Sequence, residues 1–262
     1  MSNDDPFTLD LFNTTTLSSG LGLGVTAFGS DFGPGEHDAG QPSTRVVPEP
    51  QPVRSPRRAA KTEAGANFVL DFDRGLARGW KQRARDNLDA IRLAAEIKTE
   101  DRPATPEEQA LLIRFTGFGA SELANAVFRR PGEDGFRSGW GEIGTELEET
   151  VSGADYASLA RCTQYAHFTP EFIVRAMWAG LQRLGWRGGR VLEPGIGTGL
   201  FPALMPTALR DQVHVTGIEI DPVTARIARL LQPRARIVNA DFARADLLAS
   251  FDLVIGNPPF SD

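Results

Sequence analysis

The chain has 262 residues, a hydrophobic content of 41% and a formal net charge of −6. This length accommodates one globular domain of roughly 150 to 200 residues with additional segments, and the apolar content is sufficient for a core. The negative charge argues against a protein whose whole surface binds a polyanion. The single cysteine, Cys162, excludes an internal disulfide, and with three histidines we expect no metal site. We interpret Cys162 as a small buried apolar residue.

Residues 1–64 are rich in Gly, Pro, Ser, Thr and Asp and have no apolar period, so we expect a disordered, low-complexity tail. The first residues, MSNDDPF, are acidic where a signal peptide is basic, and no run of about 18 apolar residues follows. We therefore expect a cytoplasmic protein with no membrane partner.

One apolar segment, FTLDLF at Phe7–Phe12, interrupts the tail. It resembles the short peptides through which bacterial DNA-processing proteins dock on the sliding clamp, although it lacks their leading Gln. The resemblance implies a sliding clamp as a partner. The alternative is a chance apolar patch.

Helical periodicity follows the tail and defines a helical region over residues 65–165. The segment NLDAIRLAAEIKTE, at 87–100, places apolar residues largely on one helix face. In TPEEQALLIRF, at 105–115, Thr105 and Glu108 have the spacing of a capping box, with a proline in the first turn. A second helix is therefore predicted to begin there.

The next segment, TGFGASELANAVF, contains a break between helices. Gly117 and Gly119 interrupt the helical pattern, which restarts at Ser121 and predicts helix, turn and helix. We expect Trp80 and Trp140 to anchor the core of this region, with stacking on nucleic-acid bases as the alternative.

Segments typical of strands and helices alternate from residue 166 to residue 262. The predicted order is a helix at 170–184, a strand at 190–195, a helix from Gly199, a strand at 213–220, a helix at 222–232, a strand at 235–240, a helical turn at 243–248 and a strand at 251–257. Such alternation predicts a parallel sheet covered by helices, which is a Rossmann-like α/β fold.

The first strand of this region runs into EPGIGTG, from Glu193 to Gly199. Glycines at Gly195, Gly197 and Gly199 allow a tight turn and let a ligand approach the main chain. The next strand ends in GIEID, which puts Glu219 about twenty positions later, where an acid can accept hydrogen bonds from both ribose hydroxyls. The loop alone is shared by dehydrogenases and many turns, but the loop and acid together predict a nucleoside cofactor.

The third strand leads into NADF, which supplies an acid and an aromatic ring. Asp241 can accept a hydrogen bond from an adenine amino group, and Phe242 can stack on the adenine, with core packing as the alternative for Phe242. Together with the glycine loop, these residues resemble the cofactor site of class I methyltransferases. The resemblance implies S-adenosylmethionine as the cofactor, with Glu193 and the glycines in the same site.

Upstream, the stretch YAHFTPEFIVRAMW predicts a helix start at Pro170, with Thr169 as its cap. It also resembles the segment before the glycine loop in amino-methyltransferases that have an N-terminal cofactor flap. That resemblance implies contacts of Phe168 and Thr169, and less directly of His167, with the methionine part of the cofactor.

The final segment, FDLVIGNPPFSD, contains a strand followed by Asn-Pro-Pro-Phe. Proline fixes φ near about −65° and has no N–H, so the side-chain oxygen of Asn257 and the carbonyl of Pro258 form a rigid pair of acceptors. These acceptors match the two N–H donors of an exocyclic amino group of a base. When both N–H groups are hydrogen-bonded, the nitrogen becomes more pyramidal and its lone pair, otherwise delocalised into the ring, can attack a methyl group. Phe260 can stack on a base turned out of its helix. The alternative is a proline-rich turn.

The succession EPGIGTG, GIEID, NADF and NPPF resembles the DNA adenine-N6 methyltransferases over about residues 165–262. The resemblance implies a class I methyltransferase fold and methyl transfer from S-adenosylmethionine to a flipped adenine in DNA. It implies catalytic roles for Asn257, Pro258 and Phe260. More loosely, TGFGASELANAVF and the preceding helices resemble the N-terminal part of large phage and plasmid methylase–helicase proteins, some with antirestriction roles.

The sheet of this family has seven strands, of which four are visible here, at residues 166–262. Because the fourth strand lies centrally in the family, we expect a fragment, with target-recognition and helicase regions beyond Asp262. The isolated chain is then expected to bind cofactor weakly and to methylate little. Two alternatives stay open: an RNA or protein-glutamine N-methyltransferase, although protein-directed members usually carry Tyr at the position of Phe260, and a non-catalytic nucleoside-binding or adaptor module.

Overall fold

The computed structural model describes residues 65–129, 132, 135–164, 168–247 and 250–258. All of these belong to one compact unit that spans residues 61–262. The predicted tail, including Phe7–Phe12, lies outside the described residues. Within the described ranges, no helix is both long and apolar enough to cross a membrane.

Five helices form the helical region in the described part of the chain. They are α1 (Trp80–Thr99), α2 (Pro106–Leu112), α3 (Ser121–Val127), α4 (Gly141–Thr150) and α5 (Gly153–Cys162). The predicted capping box of α2 is confirmed: the Glu108 N–H donates to Thr105 Oγ1 at 3.2 Å, and the Thr105 N–H donates to Glu108 Oε2 at 2.8 Å. The predicted restart at Ser121 is confirmed as well.

Helix α1 begins at Trp80, seven positions before the segment 87–100 for which the apolar period predicted a helix. Its first two turns carry mostly charged side chains, so they lack the apolar period on which the prediction depended, although these residues favour helix. Trp140 is buried, and Trp80 packs against the same core. The expectation that both tryptophans anchor this region is therefore confirmed.

The second part of the chain forms a four-stranded parallel sheet in the order β3-β2-β1-β4. The strands are β1 (Gly189–Pro194), β2 (Val213–Glu219), β3 (Arg236–Asn239) and β4 (Leu253–Val254). The helices between and before them are α6 (Glu171–Arg183), α7 (Leu200–Ala203), α8 (Thr207–Arg210) and α9 (Pro222–Leu231), followed by a 3-10 turn at Phe242–Arg244. The predicted parallel α/β fold with a Rossmann-like strand order is confirmed.

Local boundaries differ from the predictions at three points. Helix α6 begins at Glu171 with Pro170 as its N-cap, so Thr169 lies one residue too far out to cap it. The helical turn after β3 lies at Phe242–Arg244 instead of 243–248, because the Asp241 carboxylate accepts the Ala243 N–H at 3.0 Å and starts the turn there. Strand β4 spans only Leu253–Val254, which is shorter than the predicted 251–257, although the N–H groups of Asp252 and Ile255 on either side also donate to β1.

The segment before α1 packs against the α/β part of the molecule. The Phe68 N–H donates to the Leu231 carbonyl at 2.7 Å, and the Leu70 N–H donates to the Ala203 carbonyl at 2.9 Å. Leu70 is buried in the core that covers β1. In the opposite direction, the apolar face of α9 joins the core of α1–α5. The packing is therefore continuous across the predicted domain boundary at residue 165, which itself stays a prediction.

A buried asparagine fixes the turn between α2 and α3. The Asn87 side chain, fully buried on α1, donates from Nδ2 to the Gly117 carbonyl at 2.6 Å. Its Oδ1 accepts the Thr116 N–H at 2.9 Å. The turn is thereby attached to α1 through the Thr116 N–H and the Gly117 carbonyl.

Replacing Asn87 with Ala is expected to lower the free energy of unfolding by about 2–4 kcal/mol, because two backbone groups lose their buried partners. Urea unfolding of both proteins measures the change. The matched control is Asn125→Ala, because Asn125 makes one exposed hydrogen bond, from Nδ2 to the Ser121 carbonyl at 2.8 Å. We expect the control to change stability by less than about 0.5 kcal/mol. Equal midpoints for the two variants would contradict the assignment.

Candidate active site

The carboxyl ends of all four strands surround one cavity of about 410 Å³. Strand β1 lies between β2 and β4, so the chain order reverses beside β1, which is where open α/β sheets bind ligands. Ten residues that the sequence predicted for the site line this cavity: Phe168, Thr169, Glu193, Gly195, Gly197, Glu219, Asp241, Phe242, Asn257 and Pro258.

The glycine loop forms the floor of the cavity. Gly195 and Gly197 have φ values of 65° and 57°, a conformation that glycine adopts without strain. A side chain at Gly197 would begin 3.2 Å from Cε1 of Phe168, so the Phe168 ring lies directly over the loop. This contact brings the segment before α6 to the glycine loop, while the predicted contacts of Phe168 and Thr169 with the methionine part of the cofactor stay a prediction.

Gly199 does not line the cavity, in contrast to its predicted contact with a cofactor. Its φ of 85° makes it the N-cap of α7, and a side chain there would begin 2.9 Å from Cγ of Gln232. The absence of a side chain at Gly199 therefore serves the start of α7 and its packing against Gln232.

Glu219, at the end of β2, is almost fully buried and holds the glycine loop through hydrogen bonds. Its Oε2 accepts the Gly197 N–H at 2.9 Å, and its Oε1 accepts the Asp221 N–H at 2.9 Å. Burial raises the pKa of Glu219 to about 6, although these backbone N–H groups favour the ionised form. Each carboxylate oxygen retains a lone pair for a further donor.

Glu193, at the end of β1, is a second buried carboxyl in the cavity wall. Among the described residues, none forms a hydrogen bond or ion pair with its side chain. Burial, and then the nearby charge of Glu219, raise the pKa of Glu193 well above its ordinary value. The two carboxyls therefore differ: Glu219 is stabilised as an anion by N–H donors, and Glu193 is not.

Two exposed apolar side chains border the cavity at the ends of β2 and β3. Ile220 is 60% exposed and Phe242 is 47% exposed, so neither serves the core. The Asn239 side chain fixes the two strand ends, because its Nδ2 donates to the carbonyls of Glu219 and Ile220 at 2.8 and 3.0 Å. The sequence analysis missed Ile220 as a cavity residue. The available signal was its position: it is an apolar residue directly after the acid Glu219 at the end of a strand.

Asn257 and Pro258 follow β4 and are exposed on the same cavity. The Ile255 N–H donates to the Leu192 carbonyl at 3.0 Å, which holds β4 beside β1 until two residues before Asn257. A side chain at Gly256 would begin 3.2 Å from the Pro194 carbonyl oxygen, so the backbone after β4 passes close to the end of β1. Phe260 and His167 lie outside the described residues, and their roles stay predictions.

The helical region contributes part of the cavity wall, which the sequence did not indicate. Gly117, Phe118, Leu159 and Cys162 all line the cavity. Cys162 is only partly buried and borders the cavity, which differs from its interpretation as a small buried apolar residue. Burial, followed by the charges of Asp221 and Glu219, raises the pKa of the Cys162 thiol to about 11. Within the described ranges, no three His, Cys, Asp or Glu side chains are placed to hold a metal ion.

Comparisons with known proteins find methyltransferases among the similar sequences, while no protein-family profile matches the chain. The chain is 40% identical over 92 residues to the type II methyltransferase M.TthHB8I of Thermus thermophilus, covering 35% of this chain and 20% of that protein. It is 35% identical over 99 residues to the tRNA1(Val) (adenine(37)-N6)-methyltransferase of Porphyromonas gingivalis, covering 34% and 38%. It is 33% identical over 97 residues to the defense against restriction protein B of Escherichia phage P1, covering 36% and 4%.

The alignments therefore span well under half of each of these relatives. The resemblance to methyltransferases that the sequence motifs indicated is confirmed, and an adenine-N6 methyltransferase is among the relatives.

Proposed function

We propose that this chain binds S-adenosylmethionine in the cavity and that the protein transfers its methyl group to the N6 amino group of adenine in DNA. One observation carries the proposal: the Asn257–Pro258 corner opens into the same cavity as the glycine loop and Glu219. The proposed nucleoside site and a pair of hydrogen-bond acceptors thus share one cavity, which is what methyl transfer to an amino group requires.

The cavity residues fit the parts of this cofactor. The volume of about 410 Å³ lies in the ordinary range for small-molecule sites, roughly 300–1,000 Å³. Gly197 offers bare main chain under Phe168, and Glu219 offers carboxylate oxygens for ribose hydroxyls. Ile220 and Phe242, both exposed, offer apolar surfaces for an adenine ring.

We assign to Asp241 the recognition of the cofactor's adenine through its amino group. Its Oδ1 accepts the Ala243 N–H at 3.0 Å, and its Oδ2 lies 3.8 Å from Nε of the exposed Arg244. The carboxylate therefore retains acceptor capacity for the adenine amino group.

The cofactor, when bound, supplies an electrophilic methyl group on a sulfonium. The Asn257 Oδ1 and the Pro258 carbonyl accept hydrogen bonds from the two N–H groups of the substrate amino group. This arrangement directs the nitrogen lone pair at that methyl group. A nitrogen–carbon bond forms as the carbon–sulfur bond breaks, the electron pair stays on sulfur, and the nitrogen loses a proton to solvent. Positioning and electrostatics carry the step without a strong general base.

DNA is the proposed substrate because the order of the four motifs resembles the DNA adenine-N6 methyltransferases. The similarity to the phage P1 protein, whose name refers to defense against restriction, supports a role in antirestriction or restriction–modification. A cytoplasmic location stays a prediction. The second candidate is RNA, which the similarity to a tRNA adenine-N6 methyltransferase favours. Both reactions use the same acceptor pair and differ in how the polynucleotide is held.

Calorimetry and isotope transfer test the proposal. We expect S-adenosylmethionine and S-adenosylhomocysteine to bind and NAD not to bind. Tritiated methyl groups, offered together with unmethylated DNA, tRNA and release-factor protein, should enter DNA at adenine N6. Label found only in tRNA would replace DNA by RNA as the substrate, and label found only in protein would exclude a base. Binding of none of these cofactors would favour the adaptor alternative.

A further inference from the structure

The helical region is attached to the cavity at two separate points. The first is the turn after α2, where Asn87 binds the peptide groups of Thr116 and Gly117. The next residue, Phe118, is 2% exposed and packs edge-to-face against Phe128 at 5.5 Å between ring centroids. Because its remaining exposed edge lies on the cavity, Phe118 is a fixed part of the cavity wall.

The second attachment joins α5 to the residue that orients Glu219. Ser158 Oγ, buried on α5, donates to Asp221 Oδ1 at 2.7 Å. Asp221 Oδ2 accepts the Thr224 N–H at 2.8 Å as the cap of α9, and the Asp221 N–H donates to Glu219 Oε1. A second contact, between Arg226 and Asp155 at 3.6 Å, joins the same two helices. The position of α5 is therefore fixed relative to the proposed ribose acceptor.

Cys162 lies four residues after Ser158, so both side chains are on the same face of α5. That face meets the end of β2. Leu159, three residues before Cys162 and so beside it on the helix surface, lines the cavity together with Cys162. Their surfaces are apolar or weakly polar, which suits the edge of a ribose or an adenine.

We infer that Phe118, Leu159 and Cys162 form a wall of the nucleoside site, so that the helical region and the α/β sheet bind the ligand jointly. This inference rests on the proposed function, because it assumes that the ligand is the nucleoside part of the cofactor. It assigns binding residues to the helical region, to which neither the motifs nor the comparisons give a role.

The thiol of Cys162 gives a direct test, since it is the chain's single cysteine. Alkylation by iodoacetamide at pH 9, measured by mass spectrometry, reports access to the cavity. Saturating S-adenosylhomocysteine is expected to slow alkylation at least tenfold, and 5′-methylthioadenosine, which lacks the amino-acid part, should protect as well. Free methionine should give no protection.

Separate calorimetry on the same sample distinguishes the two ways in which the inference can fail. Binding of S-adenosylhomocysteine with an unchanged alkylation rate would overturn the inference and leave the proposed function in place. No binding at all would overturn both. Protection by S-adenosylhomocysteine but not by 5′-methylthioadenosine would place Cys162 beside the amino-acid part and would also overturn the nucleoside assignment.

A pair of substitutions gives a second, independent measurement. Cys162→Phe should fill part of the cavity and weaken cofactor binding at least tenfold, whereas Cys162→Ala should keep affinity within about twofold, since it removes one atom. Circular dichroism and urea unfolding of both variants show whether the fold is retained. Wild-type affinity in a folded Cys162→Phe variant would contradict the inference, and the alkylation result decides if that variant does not fold.

Discussion

Replacing Asn257 with Ala is expected to slow methyl transfer by about 10²–10³-fold, the size typical of losing one preorganised polar contact to the reacting group. Cofactor affinity should stay within about twofold of wild type. The reason is geometric: Asn257 is exposed at the cavity after β4, whereas the loop, Glu219 and Asp241 lie on the other strand ends. Single-turnover transfer to DNA and calorimetry, both on the whole protein with every segment after Asn257 retained, measure the two quantities.

Two further variants sharpen this result. Asn257→Gln keeps an amide but moves it by one methylene, and it should also lose most transfer, because a displacement of about 1 Å is enough to cost 10²-fold. Asn125→Ala removes an asparagine from the exposed face of α3 and should leave transfer unchanged. Retained turnover in Asn257→Ala would exclude Asn257 from the proposed role. Lost turnover together with lost cofactor binding would make it a cofactor residue instead.

The order of elements in the α/β part was predictable because each strand and helix carries its own local pattern. The ends of β1 and β2 were predictable for the same reason, because an apolar run is followed by the acids and glycines of EPGIGTG and GIEID. Parallel strands place their carboxyl ends at one edge, so Glu193, Glu219 and Asn257 were expected together and do line one cavity.

The wall from the helical region was not predictable. Phe118 and Leu159 satisfy a core pattern equally well whether they face a protein interior or a ligand cavity. Tertiary packing decides between these surroundings: the turn after α2 is held on α1 by Asn87, and α5 packs against α9. The position of Gly199 outside the cavity lining was not predictable for a related reason. Its conformation was expected, but its neighbour Gln232 lies more than thirty positions later in the chain.

The electrostatics of the cavity also depend on tertiary structure. Glu193 and Glu219 look alike in the sequence, as acids at the ends of successive strands. In the fold, two backbone N–H groups reach the carboxylate of Glu219, and no described residue reaches that of Glu193. These two N–H groups limit the rise in the pKa of Glu219, which lies at about 6, whereas burial and the charge of Glu219 raise the pKa of Glu193 well above its ordinary value.

This difference predicts how cofactor affinity depends on pH. Ribose hydroxyls donate to an ionised Glu219, so binding favours the anion and is weakened when the carboxyl takes up a proton. Because the pKa of Glu219 is about 6, affinity should be constant above about pH 7 and fall by up to tenfold per pH unit below pH 6. Calorimetric titration with S-adenosylhomocysteine between pH 5 and pH 8 measures this profile. The carboxyl of Glu193 lines the same cavity and therefore requires its own control.

Glu219→Gln separates these contributions. At pH 8 the variant should bind about 10–100-fold more weakly, since hydrogen bonds to a charged acceptor contribute about 1.5–3 kcal/mol. It should also lose the decline near pH 6, while Glu193→Gln should keep it. A decline that persists in Glu219→Gln and disappears in Glu193→Gln would assign the titration to Glu193. The same profile in all three proteins would show that neither carboxylate contacts the ligand, and the ribose would then have to bind elsewhere in the cavity.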